Sequence, residues 1–460
     1  MTAEPAGIPL LGSGEVDEIM WVTVQARRMV LAVAVLAVTA GIVWWGVRAM
    51  RSGQDRAAPE ALPEAQAERT SPPDGAAARA DDPVAALRRI LDARAQALVA
   101  FDEAPLREHY DLESDPGQWA LEHEQRRLRY LRAWTDRRRL QMVSARSDVR
   151  VTNQRVSGDE AWLSVVQSTR LGYVYRDDPS LTKHLFGIGT RHAIQMVRED
   201  GRWVIRRDWY TDPLDEDTLV PEVTPADVAA SGGILEPLAR LQALGAPRCS
   251  PPAVDGGETL VPGILVGFWK WLWRLVPLSS RAASREVAYD RDKAVAYART
   301  YCGGAWGCGN GGRYNPAYRD YTDVGGDCTN FASQVLHAGG LPMDGTWYYR
   351  RDGGSRAWVQ TTGLLSYLLD TGRARLLARG TYADVVKASD RFPEGTIHAL
   401  EPGDLIAYQE QGRVVHFAVV TGQDFRGYVV VDSHTADRRA VPWDVGWDQG
   451  TVYWLLSMRD

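Results

Sequence analysis

Residues 325–336, Gly-Gly-Asp-Cys-Thr-Asn-Phe-Ala-Ser-Gln-Val-Leu, constrain this chain more than any other stretch. Asp327 is a good N-cap residue, and Phe331, Ala332, Val335 and Leu336 recur at helical spacing, so a helix is expected to begin at Cys328. A thiol in the first turn feels the positive end of the helix dipole, which favours thiolate. Gly325 and Gly326 let the backbone turn tightly and leave the thiol approachable. Thiolate is the attacking species in thiol chemistry, so Cys328 is the candidate nucleophile. The competing reading is a small buried cysteine that only packs.

A nucleophilic thiol needs a base, and four histidines follow it: His337, His398, His416 and His434. His337 lies on the same helix, roughly 13 Å along and on the opposite face. His398 precedes a Pro-Gly-Asp turn and is expected in a loop. His416 opens a strand, His-Phe-Ala-Val-Val-Thr, after the strand that begins at Asp404. The run Tyr428–His434 is expected to pair back on it, with Asp432 or Ser433 opposite His416. Asp432 and His434 share a face, because strand side chains alternate. One of these two is expected to orient the imidazole of His416.

The rest of the chain divides by composition. Residues 1–28 form a polar tail. Residues 29–47 carry no charge and would span roughly 28 Å as a helix, about one hydrocarbon core. The expectation is a single-pass transmembrane anchor, with a cleaved signal peptide as its rival. Arginines flank both ends, so charge does not set the orientation. Residues 48–82 read as a disordered linker. Residues 83–215 read as an α+β unit: helices over 84–101 and 117–142, then alternating strands with an Asp200-Gly201 hairpin turn. Its order of helices before a curved sheet resembles the cystatin-like and nuclear-transport-factor-like folds. Residues 216–282 read as a second linker. Its Trp-rich part, 259–277, is either an interfacial segment or a strap on the C-terminal domain. Residues 283–460 form the domain that carries the chemistry. The net charge of −6 argues against a nucleic-acid partner. Four cysteines exclude a disulfide-dense scaffold. Cys302 and Cys308 are close enough in sequence for a local disulfide, and their spacing lacks the second ligand pair of a zinc site. Cys249 has no assigned role. No metal or cofactor is expected.

Cysteine at a helix start, then a strand histidine, then a polar residue on the next strand resembles the papain-like order shared by NlpC-type and CHAP-type cell-wall peptidases. Within that group the chain resembles the bacterial putative-amidase-domain family. The resemblance is carried by Tyr289–Ala298, Tyr314-Asn315-Pro316, Gly326–Gln334, Gly339–Met343, Trp347-Tyr348-Tyr349 and His434-Thr435-Ala436-Asp437. It implies a papain-like fold over about 285–460. It implies attack by Cys328 on an amide carbonyl, His416 shuttling the proton, and no cofactor. Tyr314 would complete an oxyanion hole with the Cys328 amide, and Asn330 and Gln334 are further candidates on the same helix. The expected substrate is peptide, cell-wall peptidoglycan above all, met outside the cell by a membrane-anchored enzyme. Two departures stand out: Val415 where family members often carry Asp before the strand His, and an insertion at 302–312. Alternative readings are a catalytically silent peptide- or wall-binding module, and an acyl transferase using the same thiol.

Overall fold

In this computed structural model the described residues are 82–212, 214, 223–243 and 288–459. The expected anchor at 29–47, the tail before it, almost all of the linker after it, the Trp-rich stretch 259–277 and Cys249 lie outside them. Among the described residues no helix is long and apolar enough to cross a membrane. All of them fall in one compact unit, Gly75–Asp460.

Helix α1 (Pro83–Ala100) is capped by Asp82, whose side chain accepts from the Val84 amide. Helix α2 (Asp115–Arg138) is capped in the same way by Ser114. It ends at Arg139, which takes a left-handed conformation with φ 56°. The helix expected to run to 142 therefore stops short, and its last residues belong to a strand. Strands β1 (Leu140–Ser157), β2 (Glu160–Tyr175), β3 (His184–Glu199) and β4 (Arg202–Trp209) follow as an antiparallel succession. Asp200 and Gly201 both take positive φ, 48° and 75°, as a tight hairpin between alternating strands requires. Leu87, Leu91, Leu131 and Trp134 pack the helices onto this sheet. Each such burial contributes about 1.5–3 kcal/mol. The segment read as the second linker holds two short helices, α3 (Pro225–Ala230) and α4 (Glu236–Ala243). A capping box at Thr224 and Asp227 starts the first. Ile234 and Leu235 then pack with Trp162 and Trp209. These local caps lie within a Pro- and Gly-rich composition that resembles a linker.

The C-terminal region contributes helices α5 (Arg291–Tyr301) and α6 (Cys328–Ala338) and a short hairpin, β5 (Tyr349–Arg350) with β6 (Gly353–Gly354). Helices α7 (Arg356–Val359) and α8 (Thr361–Asp370), strand β7 (Ala374–Gly380) and helix α9 (Tyr382–Val385) come next. Strands β8 (Leu405–Glu410), β9 (Arg413–Gln423), β10 (Val429–Ser433), β11 (Asp437–Pro442) and β12 (Val452–Met458) complete it.

One sheet runs through both regions in the order β1-β2-β3-β11-β10-β9-β8-β12-β7. Strand β3 pairs with β2 along one edge, and its other edge is long enough to serve two partners. Gly187–Gly189 pair with β11, and Ala193–Glu199 pair with β4. The boundary between the two regions is a change of chain segment, with no break in the hydrogen-bonded ladder. Side-chain bonds reinforce the junction. Tyr173 and Tyr175 donate to Asp424 at 2.8 and 2.7 Å, and Arg138 Nη2 pairs with Asp444 at 2.6 Å.

Candidate active site

Strand alternation sorts the C-terminal region into two faces. Phe417 and Val419 pack in one apolar cluster with Phe331 and Val335 of α6. Ala418 and Val420 pack in the other, with Tyr408, Trp443 and Trp447. On α6, Cys328, Phe331, Ala332 and Val335 share the stripe that faces the sheet.

Cys328 is the first residue of α6 and is fully buried, with its Sγ 3.7 Å from Thr329 Oγ1. The two glycines before it take φ of 125° and 104°, so the turn uses the freedom that only glycine has. Asp327 does not cap the helix with its side chain. Its carboxylate is drawn elsewhere. Oδ1 accepts from the Tyr321 amide and from Asn330 Nδ2, both at 2.9 Å, and Oδ2 lies 2.6 Å from His434 Nδ1. The Asp327 amide donates to Thr435 Oγ1 at 2.7 Å. The start of α6 is thus pinned to the His434-Thr435 corner that follows β10. Burial pushes the Asp327 carboxyl up, and His434 beside it pulls the other way.

His434 is the imidazole that meets this helix. Its ring stacks on Phe331 at 4.0 Å and on Tyr314 at 3.6 Å. Phe331 lies three residues after Cys328, hence on the same helical face. The second nitrogen, Nε2, lies 2.5 Å from the carbonyl oxygen of Tyr301. Both ring nitrogens therefore face oxygen acceptors. Filling both bonds takes two N–H groups, as in an imidazolium, or a proton on Asp327.

The remaining expected site residues separate. His416 pairs across the ladder with Tyr408, and its ring lies 5.5 Å from the rings of Tyr408 and Trp447. Alternation places it on the sheet face away from α6. Asp432 does not stand opposite His416; it stands opposite Val419. The β9–β10 connection explains the slip. Asp424 Oδ1 accepts from the amides of Arg426 and Tyr428, which makes a five-residue loop, and a bulge follows it. Asp432 accepts from Thr421 Oγ1 and the Ala440 amide, both at 2.8 Å. Tyr314 donates to Asp437 Oδ1 at 2.5 Å, so its hydroxyl is committed away from the thiol. Asn330 donates to the Arg319 carbonyl and accepts from Trp358 Nε1, while Gln334 accepts from the Tyr297 hydroxyl. These two amides hold the helix in place. His337 and His398 each contact a backbone carbonyl, that of Leu341 and that of Gly427.

Cys302 and Cys308 are joined as a disulfide. The loop they close lies on β3 where that strand carries Gly187 and Gly189. A Cβ there would fall 2.0 Å from the Trp306 carbonyl oxygen or 2.4 Å from the Ala305 amide. The Gly304 amide donates to Asp437 Oδ2 at 2.7 Å. Asp437 therefore ties the disulfide loop, Tyr314 and β11 together. From the sequence Asp327 reads as a helix N-cap, and Asp437 as no more than part of a motif. Their spacing of one before the cysteine and three after His434 was the available signal.

Residues 288–456 match the family model described as putative amidase domain. The protein named "Uncharacterized protein YhbB" from Bacillus subtilis (strain 168) is 31% identical over 180 residues, which is 37% of this chain and 49% of that protein. The chain thus spans about half the length of this curated relative. A crystal structure of the intermembrane space region of chloroplast protein ARC6 aligns at 16% identity, covering 30% of this chain and 98% of that one. Its TM-score of 0.19 carries no argument. The family match indicates amide-hydrolase-like function for the C-terminal region.

Proposed function

We propose that the C-terminal region is a papain-like thiol hydrolase of amide bonds, with Cys328 as nucleophile and the Asp327–His434 pair as its proton carrier. The observation that carries this reading is the placement of one imidazole, His434, on the helical face of Cys328, with a carboxylate behind it. The thiolate at the helix start attacks the amide carbonyl carbon. The imidazolium gives its Nε2 proton, now held toward the Tyr301 carbonyl, to the departing amine as the C–N bond breaks. Water then cleaves the thioester, the carboxylic acid leaves, and the ring regains its proton. Asp327 keeps the Nδ1 proton throughout and fixes the ring, the third role of a triad.

His416, the base expected from sequence, sits on the other sheet face and is assigned a packing role. The deciding experiment is hydrolysis of purified peptidoglycan by the full chain, read by mass spectrometry. Cys328→Ala and His434→Gln should each lose about a thousandfold or more, and His416→Gln less than about tenfold. The reverse order of the two histidine variants would return the base role to His416.

Extracellular display behind an anchor at 29–47, with cell-wall peptide as substrate, belongs to the same proposal. The uncharged run supports it, as does the Cys302–Cys308 bridge, a bond that persists in oxidising compartments. The complete burial of Cys328 favours a second reading, a peptide-binding module without turnover. Labelling with iodoacetamide at neutral pH separates the two: the hydrolase reading expects Cys328 to react faster than Cys249.

A further inference from the structure

A cleft of about 520 Å³ opens where the two regions meet. One wall is the sheet of the helix-and-sheet region together with α4, which supplies Trp209 and Leu238 as apolar surface. The other wall is the corner that supports the candidate site, with Tyr314 and Thr435 lining it. Tyr314 stacks on His434, and Thr435 accepts from the Asp327 amide. The cleft is therefore one side-chain layer from the start of α6.

Its charge is uneven. Arg150, Arg191 and Arg313 line it against Asp320 and Asp323. Arg191 is spoken for. It donates to Asp320 at 2.9 Å and lies 4.5 Å over the Tyr314 ring. Among the described residues Arg150 and Arg313 form no ion pair, and the best polar contact of Arg150 is a 3.5 Å approach to the Gly312 carbonyl. Burial pushes the Asp323 carboxyl up, Arg191 pulls it the other way, and Asp320 adds to the rise. Two arginines, one from each region, line a pocket with apolar backing, a setting that suits a carboxylate next to an aliphatic chain.

We propose that this cleft is a substrate subsite built jointly by both regions, and that Arg150 and Arg313 bind a carboxylate of the amide substrate there. The inference rests on the hydrolase reading for the word substrate, and the binding itself can be measured without turnover. It makes the helix-and-sheet region half of the recognition surface, a role beyond spacing.

The test is affinity selection with mass-spectrometric readout on the full chain carrying Cys328→Ala. Three pools of N-acetyl tripeptides are offered: free C-terminal acids without Asp or Glu, the same peptides as C-terminal amides, and C-terminal amides that contain Asp or Glu. Retention of the first pool at least about tenfold above the second assigns the site to a terminal carboxylate. Retention of the third assigns it to a side-chain carboxylate. Either preference should disappear in Arg150→Gln/Arg313→Gln at unchanged melting temperature. Equal retention of all pools overturns the proposal, as does a preference that survives the double variant. Hydrolysis without carboxylate preference would sink this inference and leave the hydrolase standing. Carboxylate preference without hydrolysis would do the opposite.

Discussion

Among the described residues, two buried polar constellations, one from each region, are built differently. In the helix-and-sheet region Arg94 pairs with Glu124 and, at 2.8 Å, with Asp208. Arg127 pairs with Glu124 at 2.8 Å and with Asp212 at 2.5 Å. The latter contact is an ion pair outside hydrogen-bond angles. Tyr210 donates to Glu124, and His192 lies 2.9 Å from Asp208. Burial alone would raise Glu124, but Arg94 and Arg127 beside it hold it well below the usual carboxylate range. In the second constellation the His434 imidazole bonds to Asp327 and stacks on Tyr314, which donates to Asp437 and lies under Arg191. There burial wins, and Asp327 and Asp437 are both pushed up. A closed network of full charges specifies a core. A network with a movable proton beside a thiol can do chemistry. Buried charge by itself therefore says little about where a reaction happens.

The sharpest way to break this contrast is to mutate one member of each. Cys328→Ala should remove a thousandfold or more of hydrolysis, about 4 kcal/mol of barrier, while thermal unfolding shifts little. Arg94→Met should leave Glu124 and Asp208 buried without a shared cation and cost about 3–5 kcal/mol of stability, read by denaturant titration. If Arg94→Met is as stable as wild type, the first network is not the core device described. Opening the disulfide with Cys302→Ser/Cys308→Ser should cost about 2 kcal/mol on loop-entropy grounds. It should also lower activity, because Tyr301, which faces His434, adjoins the bridge. Unchanged activity would detach the loop from the site. Tyr314→Phe removes one charge-assisted bond to Asp437 and should cost about 1.5–3 kcal/mol, less in activity than His434→Gln. The smallest effect is a pH dependence. A carboxyl whose folded pKa is raised adds stability that is present below its unfolded value and lost as pH rises through the folded one. Asp437→Asn has no such loss. Its melting temperature relative to wild type should rise as pH climbs from about 4 toward neutral; a flat difference counts against a raised Asp437.

Local patterns in the chain were readable. The Asp200-Gly201 hairpin, the helix beginning at Cys328 and the glycine turn before it each follow from a few adjacent residues. What depended on distant partners was not readable. The facing of His416 depends on which side of the sheet α6 covers. Its partner across the ladder depends on a five-residue loop that Asp424 closes with its own side chain. Asp327 looks like a cap from its neighbours, yet its carboxylate goes to a histidine 107 residues away. Polar residues with several local uses are settled by tertiary partners, and a single sequence does not supply those.

The ladder between β3 and β11 also has a temporal side. Gly189 and Asp437 are about 250 residues apart, and so are Tyr173 and Asp424. A nascent chain must carry a finished helix-and-sheet region, with one edge of β3 unpaired at Gly187–Gly189, until β11 has been made. That waiting edge is a template for pairing with other chains. Producing the two regions as separate polypeptides should therefore yield aggregation first and activity only where the halves find each other.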